Sequence, residues 1–310
     1  MERFLIATHA KHSFLFLNGK LAKGSPALFS KDNEEWTIPK NTHIEDPIYL
    51  IYVQDLDEAS PTPRQKKLIL QEQSRATIVE YYINLKATHS IIHATTTIEL
   101  HPKAELTHLV LQKMNEECQH ISEMQLEQAA FSRYCGTAIL LGGKLNQLDF
   151  VSNLNQPQAN SSFGILEYTK CQQHQNINLT INHHTSHCES KTVARSVAND
   201  HSKSNFTGKI IVHKNAIKSK AALENKNLLL SFEAEAKTCP QLEIYNEDVQ
   251  CSHGATVGHL ERDALFYLKS RGIPEQEARQ MLISAFISPG LQNIQPPELL
   301  NHIETLIYDA

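Results

Sequence analysis

The amino-acid sequence predicts an all-β core wound as a β-solenoid, finished by a small α-helical module at its C-terminal end. Three observations carry that reading. Residues 35–245 break into short strand-like runs bounded by polar turns, without the intervening amphipathic helices that βαβ units require. One design of apolar strand, polar corner and second strand recurs along the chain. Near residue 260 the hydrophobic pattern changes from strand-like to helical.

The opening stretch, "MERFLIATHAKHSFLFLNGK", has apolar bursts broken by His and Lys, so residues 1–35 are read as a short divergent segment. It shows no signal-peptide core or cleavage site, and a cytoplasmic location is expected. Strands then follow in order at "PIYLIYVQ" (47–54), "ATIVEYYINL" (76–85), "TTTIELH" (95–101), "LTHLVLQKM" (106–114), "NINLTINHH" (176–184) and "GKIIVHK" (208–214). Their β-branched and aromatic content suits a pleated surface. The repeated design is visible in "ILQEQSRATIVEY" (69–81), "IELHPKAELTHLVL" (98–111), "IIVHKNAIKSKAAL" (210–223) and "LLLSFEAEAKTCPQLEI" (228–244). A polar corner ending near a small Ala suits coils that stack on one another, which places a β-solenoid core at 36–257. An antiparallel sandwich also accommodates these runs.

The module at 258–310 contains three helical stretches. In "ERDALFYLKSRG" (261–272), Leu265, Tyr267 and Leu268 lie close on one surface, Asp263 offers a polar start and Gly272 a left-handed stop. In "PEQEARQMLISAFI" (274–287), Ala278, Met281, Leu282, Ala285 and Phe286 share a face behind Pro274 in the first turn. In "PPELLNHIETLIY" (296–308), Leu299, Leu300, Ile303, Leu306 and Ile307 do the same. These stripes require a covering surface, either the β core or another chain.

Composition narrows the function classes. The 310 residues are 41% hydrophobic and 20% charged, with a net charge of -5. No long basic block is present, so no nucleic-acid partner is expected. No apolar run approaches the roughly 18 residues of a membrane span, so no membrane partner is expected. The six cysteines show no paired CxxC spacing and read as free thiols. "LLGGKLNQ" (140–147) lacks a phosphate loop's Lys-Ser/Thr ending, and no G-x-S-x-G elbow occurs.

Two clusters could carry metal chemistry. Cys251 and His253 close the run "LEIYNEDVQCSH" with the same parity, so on a strand they face one side with Cα atoms roughly 6.5–7 Å apart. That spacing suits two ligands approaching one iron or cluster, since thiolate is soft and imidazole intermediate. It equally suits a small buried Cys beside a surface His. "NHHTSHCES" (182–190) gathers His183, His184, His187 and Cys188, but His183 and His184 point to opposite faces of an extended segment. Strand-and-turn residues explain this cluster better than a metal site does. Glu247 and Asp248 in "YNEDVQ" are read as a solvated turn rather than the paired acids of a polysaccharide lyase or hydrolase.

A long stretch from 205 to 272, with "NKNLLLS" and then "PQLEIY..DV.CSHGATVG", resembles the SufB/SufD family of iron–sulfur cluster assembly proteins. "CSHGATVG" looks like the SufD branch, whereas the SufB branch has Glu after the His where this chain has Gly254. Residues 36–53, 120–154 and 181–210 follow the same family core with less force. Family members commonly carry an N-terminal helical domain, for which this sequence shows little room. The resemblance implies a right-handed parallel β-helix acting as a non-catalytic scaffold. Its implied partners are a SufB-type subunit, paired through the β-helices, and the ABC-type ATPase SufC. Self-pairing into a homodimer and a SufB-like role are the alternatives. His253 is implied to be a cluster or iron ligand shared with the partner chain, and Cys251 an accessory thiol. A nascent iron–sulfur cluster would sit at that interface, with no cofactor held stably by the chain alone. The ATPase would dock on the C-terminal module, through Asp263, Leu265, Phe266, Leu268, Arg271, Met281 and Phe286.

Overall fold

A computed structural model describes residues 12–17, 20–23, 29–30, 35–54, 62–85, 89–291, 294 and 297–308. Most of the expected 1–35 segment lies outside the described residues. The chain forms a parallel β-solenoid rather than an antiparallel sandwich, with strands alternating between two sheets. One sheet holds β1 (His12–Leu17), β2 (Lys20–Lys23), β5 (Ile48–Gln54), β7 (Arg75–Asn84), β9 (Glu105–Met114), β11 (Arg133–Gly142), β13 (Asn160–Thr169), β15 (Glu189–Ala198), β17 (Lys220–Leu229) and β19 (Gln250–His259). The other holds β3 (Phe29–Ser30), β4 (Glu35–Ile38), β6 (Thr62–Leu70), β8 (Ile91–Leu100), β10 (Gln119–Gln128), β12 (Leu145–Leu154), β14 (His174–His183), β16 (Lys203–Val212) and β18 (Glu235–Ile244). Antiparallel pairs β1–β2 and β3–β4 occupy the N-terminal end, where Phe14 meets Trp36 edge-on at 4.4 Å. The strand system thus begins earlier and ends later than the 35–245 read from sequence.

The corners explain the repeat. Gln73, Lys103, Phe131, Gln158, His187 and Lys218 each adopt a left-handed φ of 56–62° at equivalent places in successive coils. Each pays for that conformation with a backbone bond to the next coil: Lys103 N–H donates to Ala130 O at 2.9 Å and His187 N–H to Ile217 O at 2.8 Å. The residue that follows is always small and buried: Ser74, Ala104, Ser132, Ala159, Cys188 and Ser219. A larger side chain there would collide with the coils above and below. At the opposite corner Gly142, at φ 72°, replaces a longer turn, and a Cβ would come within 2.0 Å of Met114 O.

The outer faces differ. Val79, Tyr81, Leu109, Leu111, Ile139, Leu141, Leu166 and Val197 cover the outside of the first sheet with apolar surface. Onto it pack the end of α2 (Glu275–Ile287) and α3 (Pro297–Tyr308), while α1 (Arg262–Ser270) buries no residue. Leu299, Ile303, Leu306 and Ile307 of α3 are buried, as its stripe requires. In α2 the buried face is rotated from the expected one. Ala278 and Ile287 are buried while Met281 and Ala285 are exposed, because the following turn, Ser288–Gly290, drops onto the sheet at Gly164. A Cβ at Gly164 would lie 2.7 Å from Gly290 O, so its missing side chain permits that approach. Among the described residues no helix covers the outside of the second sheet. Polar rungs cover it instead, including Asn205 donating to Asn176, 29 residues back, and Asn182 donating to Asn153.

The lumen combines aromatic stacking with buried polar groups that the strand pattern did not reveal. Tyr52 and Tyr82 stack at 4.8 Å, and Lys66 lies 2.6 Å from the Glu80 carboxylate. Burial alone would raise the Glu80 pKa, but the Lys66 charge and the His108 hydrogen bond hold it at about 2. Among the described residues Glu167 has only hydroxyl partners, Ser204 and through it Ser196, and burial raises its pKa to about 7. Between the ordinary carboxylate range and about 7, the folded chain therefore keeps a proton that the unfolded chain has lost. Stability falls as pH rises through that window, by on the order of 3 kcal/mol in total. Urea unfolding of Glu167→Gln is expected to show little such fall between pH 5 and pH 8, in contrast to the unmodified chain. Parallel pH dependences in the two proteins would contradict this assignment.

Candidate functional site at the open end

The solenoid ends at β18 and β19, each paired on one side only among the described residues. Strand period two determines which backbone groups face the free edges. Gln250 N–H donates inward to Ser219 O, so Cys251, His253, Ala255 and Val257 present their N–H groups outward. On β18, Glu235 and Tyr245 donate inward, which turns Pro240 outward, where it has no N–H to offer another strand. The sequence of β18 also carries Glu235, Lys237 and Glu243, whereas β19, "QCSHGATVGH", has neither proline nor a carboxylate, lysine or arginine. One edge is guarded against pairing and the other is not.

Cys251 and His253 share a face of β19, as their parity requires. They lie in register with Ala221 and Leu223, both buried residues of the lumen, but among the described residues no further coil covers them. Cys251 is half-buried against the core, and burial pushes its thiol pKa up. His253 is exposed. A side chain at Gly254 would meet nothing within 4 Å. Beside this end runs a groove of about 400 Å³, lined by Lys191, Arg195, Glu224, Ser252, His253 and Pro289.

No group of three or more His, Cys, Asp or Glu among the described residues could hold a metal ion. The 182–190 cluster is dispersed by the fold. His183 is buried with Nε2 2.7 Å from Ser190 Oγ, and His184 stacks on His213 at 4.4 Å. His187 supplies the left-handed corner and Cys188 the small stacked residue behind it. Asp248 closes the last corner by accepting the Lys218 N–H through its backbone carbonyl.

The candidate docking residues do not share one environment. Asp263, Phe266, Arg271 and Met281 are exposed, Phe266 at 74%, while Leu265 and Leu268 are half-buried. Phe286 packs against the apolar cluster on the covered sheet, with the Arg195 guanidinium 5.9 Å from its ring. Sequence reading missed Phe232, 87% exposed, together with Tyr245 and Val257 near the same end. It also missed Cys239, exposed on the outer face of β18, where Gln241 donates to its sulfur at 3.4 Å. No residue pattern distinguishes a terminal coil from an internal one, so their exposure was not legible.

These features define a class: a parallel β-solenoid whose last described strand offers an unguarded edge beside a thiol and an imidazole. The chain belongs to the SufB/SufD family, for the family described as "SUF system FeS cluster assembly, SufBD core domain" matches residues 56–286. It is 32% identical to the iron–sulfur cluster assembly protein SufD of Escherichia coli over 230 residues, covering 74% of this chain and 54% of the relative. It is 25% identical to SufD of Bacillus subtilis over 284 residues, covering 90% and 62%. Similarity to the chloroplastic protein ABCI7 of Arabidopsis thaliana is 28% over 285 residues, covering 87% and 59%. The chain thus spans roughly half to three fifths of these relatives' length. No helix among the described residues is long and apolar enough to cross a membrane.

All six cysteines are free, with different access. Under a thiol-alkylating reagent on the native chain, Cys171 and Cys239 are expected to react first, Cys251 more slowly, and Cys118 and Cys188 only after unfolding. Peptide mass mapping over time measures that order, and early labelling of Cys188 would contradict the corner packing.

Proposed function

We propose that this chain is a SufD-type scaffold subunit in iron–sulfur cluster assembly, with no catalytic step of its own. The observation that carries this reading is the unguarded β19 edge bearing Cys251 and His253. A SufB-type β-helix would add to that edge, bringing its own ligands to the exposed imidazole. The cluster is cargo of the joined pair rather than a resident group of either chain. His253 would bind iron through a neutral ring nitrogen. Cys251 remains a protonated thiol in the isolated chain because burial opposes the thiolate; a ligated metal would draw the proton off. The same edge supports self-pairing, which is the second reading. Finding a SufB-like activity in the isolated homodimer would favour it.

His253 is exposed and supports no packing, so His253→Ala is expected to leave the unfolding midpoint unchanged. In a complex reconstituted with SufB-type and SufC-type partners, that variant is expected to lower cluster yield by at least about tenfold. Undiminished yield would remove the assigned role. We also place the ABC-type ATPase on α1 and the exposed side of α2. Phe266→Asp is then expected to weaken ATPase binding by about thirtyfold or more, measured by calorimetry, without altering the circular dichroism of the chain. Equal affinity would exclude Phe266 from the contact.

A further inference from the structure

We propose that the open end receives a second copy of this chain about a two-fold axis through Gly254 and Pro240, with Lys237 of each copy paired to Glu243 of the other. The inference rests on the self-pairing reading of the β19 edge and adds the residues that fix its register. The outward N–H groups of β19 belong to Cys251, His253, Ala255 and Val257, a set symmetric about Gly254. Two identical strands joined edge to edge by a two-fold axis run antiparallel. With the axis at Gly254, Cys251 faces Val257 of the other copy and His253 faces Ala255, so all four N–H groups meet a carbonyl. The two Gly254 residues then form a non-hydrogen-bonded pair with Cα atoms about 4.5 Å apart, and nothing lies within 4 Å of a Cβ there to obstruct the approach. β19 carries no Asp, Glu, Lys or Arg, so no like charges meet along the ladder.

The same axis crosses the lumen and passes through β18. Pro240 is in register with Gly208, where a Cβ would lie 2.6 Å from Leu223 Cδ1. Leu223 is in turn in register with His253, and Glu224 with Gly254. Pro240 is therefore opposite the His253–Gly254 step. Lys237 and Glu243 share the outer face of β18 and stand equally far from Pro240 on either side. Rotation about Pro240 sets Lys237 against Glu243 of the other copy, twice, and Cys239 against Gln241. Moving the axis back to Cys239 would set Glu243 against Glu235 of the other copy, a like-charge contact. Lys237 is exposed and makes no ion pair among the described residues, whereas Lys209 holds the Glu243 carboxylate in place at 2.6 Å. An axis running along the strands would instead lay β19 on the other copy's β18, where Pro240 leaves a gap in the ladder.

Sedimentation velocity of the isolated chain is expected to show a dimer. Lys237→Glu and Glu243→Lys are each expected to raise its dissociation constant by at least about tenfold, since like charges then face each other at both symmetric contacts. An equimolar mixture of the two variants is expected to restore the dimer, because every pair across the axis is again opposite in charge. Ala255→Pro removes an outward N–H while sparing the inward ladder, and is expected to give monomers. A monomeric parent overturns the self-pairing reading and the proposal with it. A dimer that Ala255→Pro breaks, but that the charge variants and their mixture leave unaltered, overturns the register alone. A dimer that persists in Ala255→Pro joins through another surface and also overturns it. Should Glu243→Lys fail to fold beside Lys209, Lys237→Glu decides by itself: an unchanged dissociation constant removes the ion pair.

Discussion

In-register stacking of one coil on the next is the constraint on which everything else in this molecule depends. Parallel pairing repeats position by position through ten-residue strands, so the inward set of one coil must match that of its neighbours. The corners maintain that register. A residue held in the left-handed conformation gives its N–H to the following coil, and the small residue behind it lets the turns close up. Stability is then largely a sum over adjacent coils, as in other repeat folds.

The two faces of the solenoid solve the same burial problem differently. One sheet carries apolar side chains on both sides and requires α2 and α3 as a cover; the other is apolar inward and polar outward, with asparagine and ion-pair rungs between coils. α1 is excluded from this cover and projects from the open end with Phe266 and Tyr267 exposed. The C-terminal helices therefore divide their work, α3 completing the fold and α1 remaining available for contact.

Much of this architecture was legible in the residues. The recurring corner with Ala104 or Ala216 implied stacking, the parity of Cys251 and His253 gave their common face, and the stripe of Leu299, Ile303, Leu306 and Ile307 located the buried side of α3. The rotated face of α2 was not legible, because it is decided by a contact between Gly164 and Gly290, far apart in sequence. Nor were Lys66, Glu80 and His108, whose polar identities interrupt the apolar alternation that marks a core. Burial of such groups follows from mutual pairing across coils, and pairing becomes visible only once the register is known. At the site, residue types announced the pair, but only the topology shows that it lies on a terminal strand.

A solenoid has no intrinsic stop: each coil is a template for another, and β19 presents that template without the proline and charges that protect β18. A chain whose β19 edge stays uncovered presents an exposed β-surface. Such an orphan is prone to aggregation and to capture by quality-control machinery. The undefended strand therefore makes the solubility of the isolated chain depend on what covers that edge.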